Sequence, residues 1–348
     1  ATTRTITVAP AATQSYTGAT GNDFVAGNPI PPTVAVVSPA GGGLVGGNTV
    51  TITGTGFTGA IEVRFNGILA TSFTVNSDTS ITATVPSALA TGQVPVSVIT
   101  AGGPGSLSNA YTYVDYVITT SGNTIEITDE SGNADTLSIS EPVAGSVLFA
   151  ATGRTFAVNG VVQPSANSGN LLLAGVTLIR VNAQAGDDAI NMNAFASSFP
   201  SLTINGGTGS DDVFFTGDVT FAANANLDVD LQNDDPVPGT DNVTAAALAN
   251  IVTSGSGTIT VKTSRNITVD SGASFESVDG DIVLQANQQL VPSSGLFFGV
   301  EILGKVKSTG LGNVSVFGRG GSISNPNDGV ELNAAAAGIS TNSGNLTI

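Results

Sequence analysis

The sequence predicts an all-β chain, a β-sandwich followed by a solenoid of stacked parallel strands, and three observations carry the prediction. The pattern Gly-x-[Ile/Val/Leu]-x-[Val/Leu/Ile] recurs as Gly257-Thr258-Ile259-Thr260-Val261, Gly280-Asp281-Ile282-Val283-Leu284, Gly312-Asn313-Val314-Ser315-Val316 and Gly344-Asn345-Leu346-Thr347-Ile348, at intervals of 23, 32 and 32 residues. A turn glycine followed by a short alternating strand at this period is the unit of a solenoid, whose coils bury their apolar faces only by stacking. Hydrophobic residues make up 41% of the 348, mostly Val, Ile, Leu and Ala in strand-like alternation, which outweighs the disorder that 44 Gly and 15 Pro suggest. Thr49-Val50-Thr51-Ile52-Thr53 alternates polar and apolar residues, as a half-buried strand does. Almost no helix is expected.

Residues 1–31 read as an N-terminal strand and linker. Thr5-Ile6-Thr7-Val8 is the strand, and a Gly/Asn/Pro-rich stretch ends in Asn28-Pro29-Ile30-Pro31-Pro32. A lone strand needs a partner, either on this chain or in a preceding domain. Residues 32–114 form the sandwich. Val34-Ala35-Val36-Val37-Ser38-Pro39 opens it, and Gly54 and Gly56 break the strand that starts at Thr49. Phe57 then plugs the core, with Phe65 beside it. Asn66-Gly67 is a hairpin-turn dipeptide.

The order of these segments, with Gly46-Gly47-Asn48 before the alternating strand, Val63-Arg64-Phe65-Asn66-Gly67, Ile81-Thr82-Ala83-Thr84-Val85-Pro86 and a closing Tyr111-Thr112-Tyr113-Val114, resembles an IPT/TIG domain. The resemblance implies an immunoglobulin-like sandwich. Such domains serve as spacers and stalks in surface proteins and receptors, or contact DNA through basic loops. Arg64 is the only basic residue between 32 and 114, so the stalk role is expected.

Residues 115–348 are expected to form the solenoid. Ile125-Glu126-Ile127, Leu137-Ser138-Ile139 and Phe156-Ala157-Val158 are short strands between Ser-Gly, Gly-Asn and Asn-Gly turns. Ile179-Arg180-Val181-Asn182 precedes Asp187-Asp188, and Leu202-Thr203-Ile204-Asn205 precedes Asp211-Asp212, an offset of 24 residues between Asp187 and Asp211. In the later coils Asn266-Ile267-Thr268-Val269, Val300-Glu301-Ile302 and Val330-Glu331-Leu332 each occupy a matching second-strand place. These coils resemble the β-helical regions of filamentous-haemagglutinin-like adhesins and large bacterial surface proteins, which implies a parallel β-helix. The chain begins at Ala1, consistent with processing or a fragment, and ends in mid-strand at Ile348. The helix is therefore expected to continue beyond this segment, with an assembly surface as the alternative.

Composition removes most chemistry. The chain has no histidine and no cysteine, which excludes zinc sites, Cys-His dyads and Ser-His-Asp triads. A net charge of −17 with only 9 basic residues repels a phosphate backbone, so no nucleic-acid partner is expected. No apolar run reaches the roughly eighteen residues of a membrane span.

Gly206-Gly207-Thr208-Gly209-Ser210-Asp211-Asp212-Val213-Phe214 fits the calcium-binding nonapeptide of RTX proteins. It stands here as a single copy, whereas that family shares calcium between tandem copies. If Asp187-Asp188 stacks on Asp211-Asp212, carboxylates about 4.8 Å apart repel by roughly 3 kcal/mol per pair. A hard cation relieves this, and so do splayed side chains in water. Asp187, Asp188, Asp211 and Asp212 are thus the candidate calcium ligands, and calcium the only cofactor considered. A second acidic group, Asp228, Asp230, Asp234, Asp235 and Asp241, reads as a solvated loop, and Glu276, Asp279 and Asp281 as an exposed corner.

Glycoside hydrolysis needs only paired carboxylates, but 26 acidic residues always offer a pair, and without Trp and with four Tyr the aromatic platforms of a sugar cleft are scarce. No enzyme is expected. The function expected is an extracellular structural or adhesive protein of a bacterial cell surface: an adhesin shaft, surface-layer or filament component. Its partners would be further copies, neighbouring repeats or surface glycans. The alternatives are a glycan- or ice-binding module and a polysaccharide-cleaving β-helix.

Overall fold

The computed structural model describes residues 4–8, 12–16, 29–232, 239–321 and 328–348. Among them there is no helix. The chain separates into two compact units, one of residues 1–113 with 160–162, the other of residues 114–159 with 163–348. The N-terminal strand has its partner close by: Arg4–Val8 pairs antiparallel with Ala12–Tyr16. The single strand expected there is one half of a hairpin.

Within the first unit two sheets face each other. Thr33–Ser38, Thr49–Thr55, Ser80–Thr84 and Ser72–Ser77 make a four-stranded sheet, and Gly41–Gly43, Gly103–Val114, Gly92–Thr100, Glu62–Phe65 and Ile68–Leu69 a five-stranded one. Alternation drives this packing. In Thr49–Thr55 the Val50 and Ile52 side chains turn inward while the threonines face water. Phe57 and Phe65 are fully buried, and the Tyr111 ring meets Phe65 edge-on at 5.5 Å. The tyrosine hydroxyls are satisfied as they are buried, Tyr111 on Asn48 Oδ1 at 3.0 Å and Tyr113 on the Pro86 carbonyl at 2.9 Å. Asn66 and Gly67 both have positive φ and close the expected hairpin.

The second unit is built on three parallel sheets that the chain visits in turn. The first runs from Thr124–Asp129 through Leu178–Asn182, Ser201–Asn205, Leu227–Leu231, Ile259–Thr263, Ile282–Ala286 and Val314–Gly318 to Leu346–Thr347. The second stacks Thr136–Ser140, Ala189–Met192, Asp212–Phe215, Asn242–Ala245, Asn266–Val269, Val300–Ile302 and Val330–Leu332. A third, from Val219–Ala223 to Gly338–Thr341, had no counterpart in the sequence expectation. Register holds from circuit to circuit: Ile259, Ile282, Val314 and Leu346 pair in succession. The first three of these are fully buried. Each such column lines up aliphatic side chains along one axis, and each buried Val, Leu or Ile contributes about 1.5–3 kcal/mol before entropy losses.

The repeated glycines are explained by this stacking. A Cβ on Gly280 would stand 1.9 Å from the Gly257 carbonyl oxygen, one on Gly312 2.0 Å from that of Gly280, and one on Gly344 2.2 Å from that of Gly312. Backbone passes over backbone at this corner with no room for a side chain.

The beginning of the unit departs from the uniformly parallel arrangement expected from residue 115. Tyr116–Ser121 pairs antiparallel with Thr124–Asp129, and Thr136–Ser140 antiparallel with Ser146–Ala150. The reason is the length of the connection. Only Gly122 and Asn123 join the first pair, with Gly122 at a φ of 56°, and two residues can reverse a strand but cannot return it to a parallel position.

Candidate functional site

The corner between the first and second parallel sheets carries an aspartate in each of its first four circuits. Asp135, Asp188, Asp211 and Asp241 each precede a strand of the second sheet, and all four are buried. Asp188, Asp211 and Asp241 each use one carboxylate oxygen to accept the backbone N–H of the equivalent aspartate one circuit earlier. Asp135 N donates to Asp188 Oδ1 at 2.8 Å, Asp188 N to Asp211 Oδ1 at 3.0 Å and Asp211 N to Asp241 Oδ1 at 2.7 Å. The series ends where Asp241 N donates to Ser264 Oγ at 3.1 Å. These amides lie just outside the strand ladders, and the side chain supplies the acceptor they need.

This geometry corrects the register read from sequence. Ala189 pairs with Asp212, so the repeat is 23 residues and Asp188, not Asp187, stacks on Asp211. Asp187 Oδ1 accepts Ser210 N at 2.9 Å, and Asp212 Oδ1 accepts Asn242 Nδ2 at 2.7 Å. All four candidate calcium ligands therefore bind protein donors, and they differ in depth, Asp188 and Asp211 buried, Asp212 half-buried and Asp187 exposed. The glycines of the nonapeptide serve close stacking: a Cβ on Gly207 or Gly209 would lie 1.8 Å from the carbonyl of Gln184 or Gly186.

The second acidic group is not one loop. Asp228 and Asp230 lie on the strand Leu227–Leu231, whose leucines and Val229 turn inward. Asp230 pairs with Lys262 at 3.1 Å. Asp241 belongs to the buried corner series, and Asp234 and Asp235 fall outside the described residues. Asp279 and Asp281 are exposed as expected and accept the amides of Leu311 and Asn313, while Glu276 is half-buried and pairs with Lys307 at 3.1 Å.

Where the aspartate series begins, it meets further acids. Asp129, at the end of its strand, turns the chain by accepting Ser131 N on Oδ1 at 2.7 Å. Oxygens of Asp129, Asp135 and Asp188 all lie within 4.8 Å of one another, and the three residues are 1%, 8% and 5% exposed. Arg154 contacts Asp135 through Nε and lies 3.6 Å from Asp115 through Nη1. The Tyr116 hydroxyl donates to Asp135 Oδ2 at 3.2 Å, and its ring stacks on Phe156. A small cavity of about 10 Å³ is lined by Tyr116, Asp135, Asn182 and Asp188 among apolar neighbours.

Burial raises the proton affinity of this cluster. The Asp188 carboxyl is pushed up to about 8, first by loss of solvent and then by the charges of Asp129, Asp211 and Asp135, against the lowering effect of the Asp135 amide. Asp129 is raised for the same first reason, loss of solvent, and Tyr116 is held far above its ordinary range. A space of this size takes about one water or ion, so the cluster suits a proton or a cation and excludes a sugar ring.

Sequence reasoning missed Asp129 and Asp135. The signal was present as Asp-x-[Leu/Ile/Val]-x-[Ile/Met/Phe/Ala], which recurs at Asp135, Asp188, Asp211 and Asp241. Its intervals of 53, 23 and 30 residues are too unequal to announce a repeat.

Among the described residues no helix is long and apolar enough to cross a membrane. No curated protein matches the chain. Similar solved structures include two of the full extracellular region of plexin A4. One has 25% identity over 24% of this chain and 9% of that chain, the other 22% over 35% and 9%, each with a TM-score of 0.23. A third is the Bacteroides ovatus mixed-linkage glucan utilization locus protein SGBP-B in complex with mixed-linkage heptasaccharide, at 12% identity over 39% of this chain and 42% of that chain, TM-score 0.23. This chain spans less than half the length of each. Residues 32–113 match the IPT/TIG family, and with their two-sheet sandwich and buried Phe57, Phe65 and Tyr111 they are an IPT/TIG domain.

Proposed function

We propose that the chain is a non-enzymatic structural protein of a bacterial cell surface, in which the IPT/TIG domain is a spacer and residues 115–348 are the shaft of a parallel β-helix. The observation that carries this reading is the unbroken register of the first parallel sheet, from Thr124–Asp129 to Leu346–Thr347. A stack in which each circuit is held by its neighbours resists bending and local opening, which suits an adhesin shaft, a surface layer or a filament. The buried acids support the same reading, since their cavity admits no polymer.

Glycan binding is the alternative. It would use the open cleft of about 330 Å³ lined by Asn266, Leu296, Phe297, Phe298 and Glu301. Two measurements separate the readings. Antibody labelling and protease shaving of intact producing cells should reach the protein at the surface. A panel of soluble polysaccharides should be neither cleaved nor retained. Protein found only inside intact cells sinks the surface reading, and depolymerisation of any polysaccharide sinks the non-enzymatic one.

A further inference from the structure

We propose that Asp129, Asp135 and Asp188 together bind one hard divalent cation of the size of calcium. Three observations converge on it. The first is distance. The three oxygens lie within 4.8 Å of one another, so a point no more than about 2.8 Å from all three exists, within a few tenths of an ångström of the roughly 2.3–2.6 Å of calcium–oxygen bonds. A magnesium ion, with bonds of about 2.0–2.1 Å and a strict octahedron, needs them closer.

The second observation is that the cluster has acceptors to spare. Asp129 Oδ1 serves Ser131 N, Asp188 Oδ1 serves Asp135 N, and the two oxygens of Asp135 serve Arg154 and Tyr116. Asp129 Oδ2 and Asp188 Oδ2 are sealed from solvent and have no hydrogen-bond partner. Two such carboxylate oxygens, on residues of one cluster, lack a donor or a cation, and a buried unpaired charge is among the costliest arrangements in a protein.

The third is charge. Arg154 pairs with Asp115 and Asp135, and Asp129 and Asp188 cluster with Asp135, so four acids share that one cation. With all four ionised the corner carries −3, and one divalent ion reduces that to −1. The all-oxygen donor set selects a hard ion. The site differs from the nonapeptide corner, of which it shares only Asp188, and it is independent of the structural role proposed above.

Tyr116 makes the test specific, because its hydroxyl lies 3.2 Å from Asp135 Oδ2 and the chain has no tryptophan. Terbium(III), a luminescent ion of calcium's size and donor preference, is titrated into the full chain after chelator treatment, with excitation of tyrosine. Saturable emission is expected at one equivalent, displaced by calcium and not by equal magnesium. Tyr116→Phe should lower the emission at least about tenfold while keeping the rise in Tm that calcium produces. That rise should be about 5–10 °C at a hundred times the Kd. Asp129→Asn retains Oδ1 for Ser131 and should abolish both signals. If this variant does not fold, the wild-type titration and Tyr116→Phe still decide. Absence of saturable emission and of any calcium-dependent Tm rise up to millimolar ion overturns the proposal. So does emission that survives Tyr116→Phe unchanged, which places the ion elsewhere, or a calcium response that survives Asp129→Asn.

Discussion

Replacing Gly280 by alanine tests whether backbone contact between coils fixes the corner glycines. The new Cβ would lie 1.9 Å from the Gly257 carbonyl oxygen, and real Cβ contacts do not fall below 3.0 Å. The two coils must part by about 1.1 Å. Flanking this point, Asp279 N donates to the Gly255 carbonyl and Ile259 N to the Asp281 carbonyl, both at 2.9 Å. Stretching either by that much leaves hydrogen-bond range. Losing two bonds at about 0.5–1.5 kcal/mol each, with an overpacking strain of about 1–3, gives on the order of 2–5 kcal/mol. For a unit of this size that is a fall in Tm of roughly 5–15 °C.

The control is Gly338→Ala. Nothing lies within 4 Å of its would-be Cβ, and alanine there should be neutral or stabilising by about 0.4–1 kcal/mol. Thermal melts followed by far-UV circular dichroism compare the two. A Gly280→Ala protein melting within about 1 °C of wild type refutes the stacking argument, as does an equal loss in Gly338→Ala.

The remaining predictions concern the acidic corner. Asp211→Ala strands the Asp188 amide, and calorimetric melting should show a loss of about 1–3 kcal/mol, whereas Asp211→Asn keeps the acceptor and should recover most of it. In chelator, stability should fall as pH rises. Asp129 and Asp188 bind protons more tightly folded than unfolded, so their contribution is complete below pH 4 and is lost as pH climbs through the raised values, for Asp188 about 8. Melts between pH 5 and 9 should show this decline, and Asp188→Asn should flatten it; a wild-type Tm that rises over the range contradicts the assignment.

The sandwich was legible because its signals are local. Alternation in Thr49–Thr55, the Asn66-Gly67 turn and the aromatic pair near Tyr111 are each readable within a few residues. The first sheet was legible because its glycine and its strand are adjacent in sequence. The third sheet was not. Ser274–Ser277 and Lys305–Ser308 are four residues long and bury one large side chain each, Phe275 and Val306, too little alternation to stand out. The acidic cluster was illegible for another reason. Asp129 and Asp135 lie more than fifty residues from Asp188, and the pairings of Thr124–Asp129 with Leu178–Asn182 and of Thr136–Ser140 with Ala189–Met192 bring them together. A one-residue slip between Ala189–Met192 and Asp212–Phe215 likewise exchanges a buried acid for an exposed one. It separates the offset of 24 that matches Asp187 with Asp211 from the repeat of 23 that stacks Asp188 there.

The two corners of each circuit solve one problem in opposite senses. At the glycine corner the later coil donates to the earlier: Thr258 N to Asn226 Oδ1, Asn313 N to Asp281 Oδ1 and Asn345 N to Asn313 Oδ1. At the aspartate corner the earlier coil donates to the later. Side-chain acceptors on both sides of a strand hold its register even where the connecting segments differ in length, so coils of unequal size stack without slipping. At the exposed corner asparagine does this work without charge in two of those three places, Asn226 and Asn313, and Asp281 does it where water solvates the charge. Asparagine would accept the same amides at the buried corner. Aspartate there brings a desolvation penalty with no gain in capping, and the penalty is greatest where Asp129 joins Asp135 and Asp188. An acid at that place needs a counter-charge, and Arg154 supplies only one.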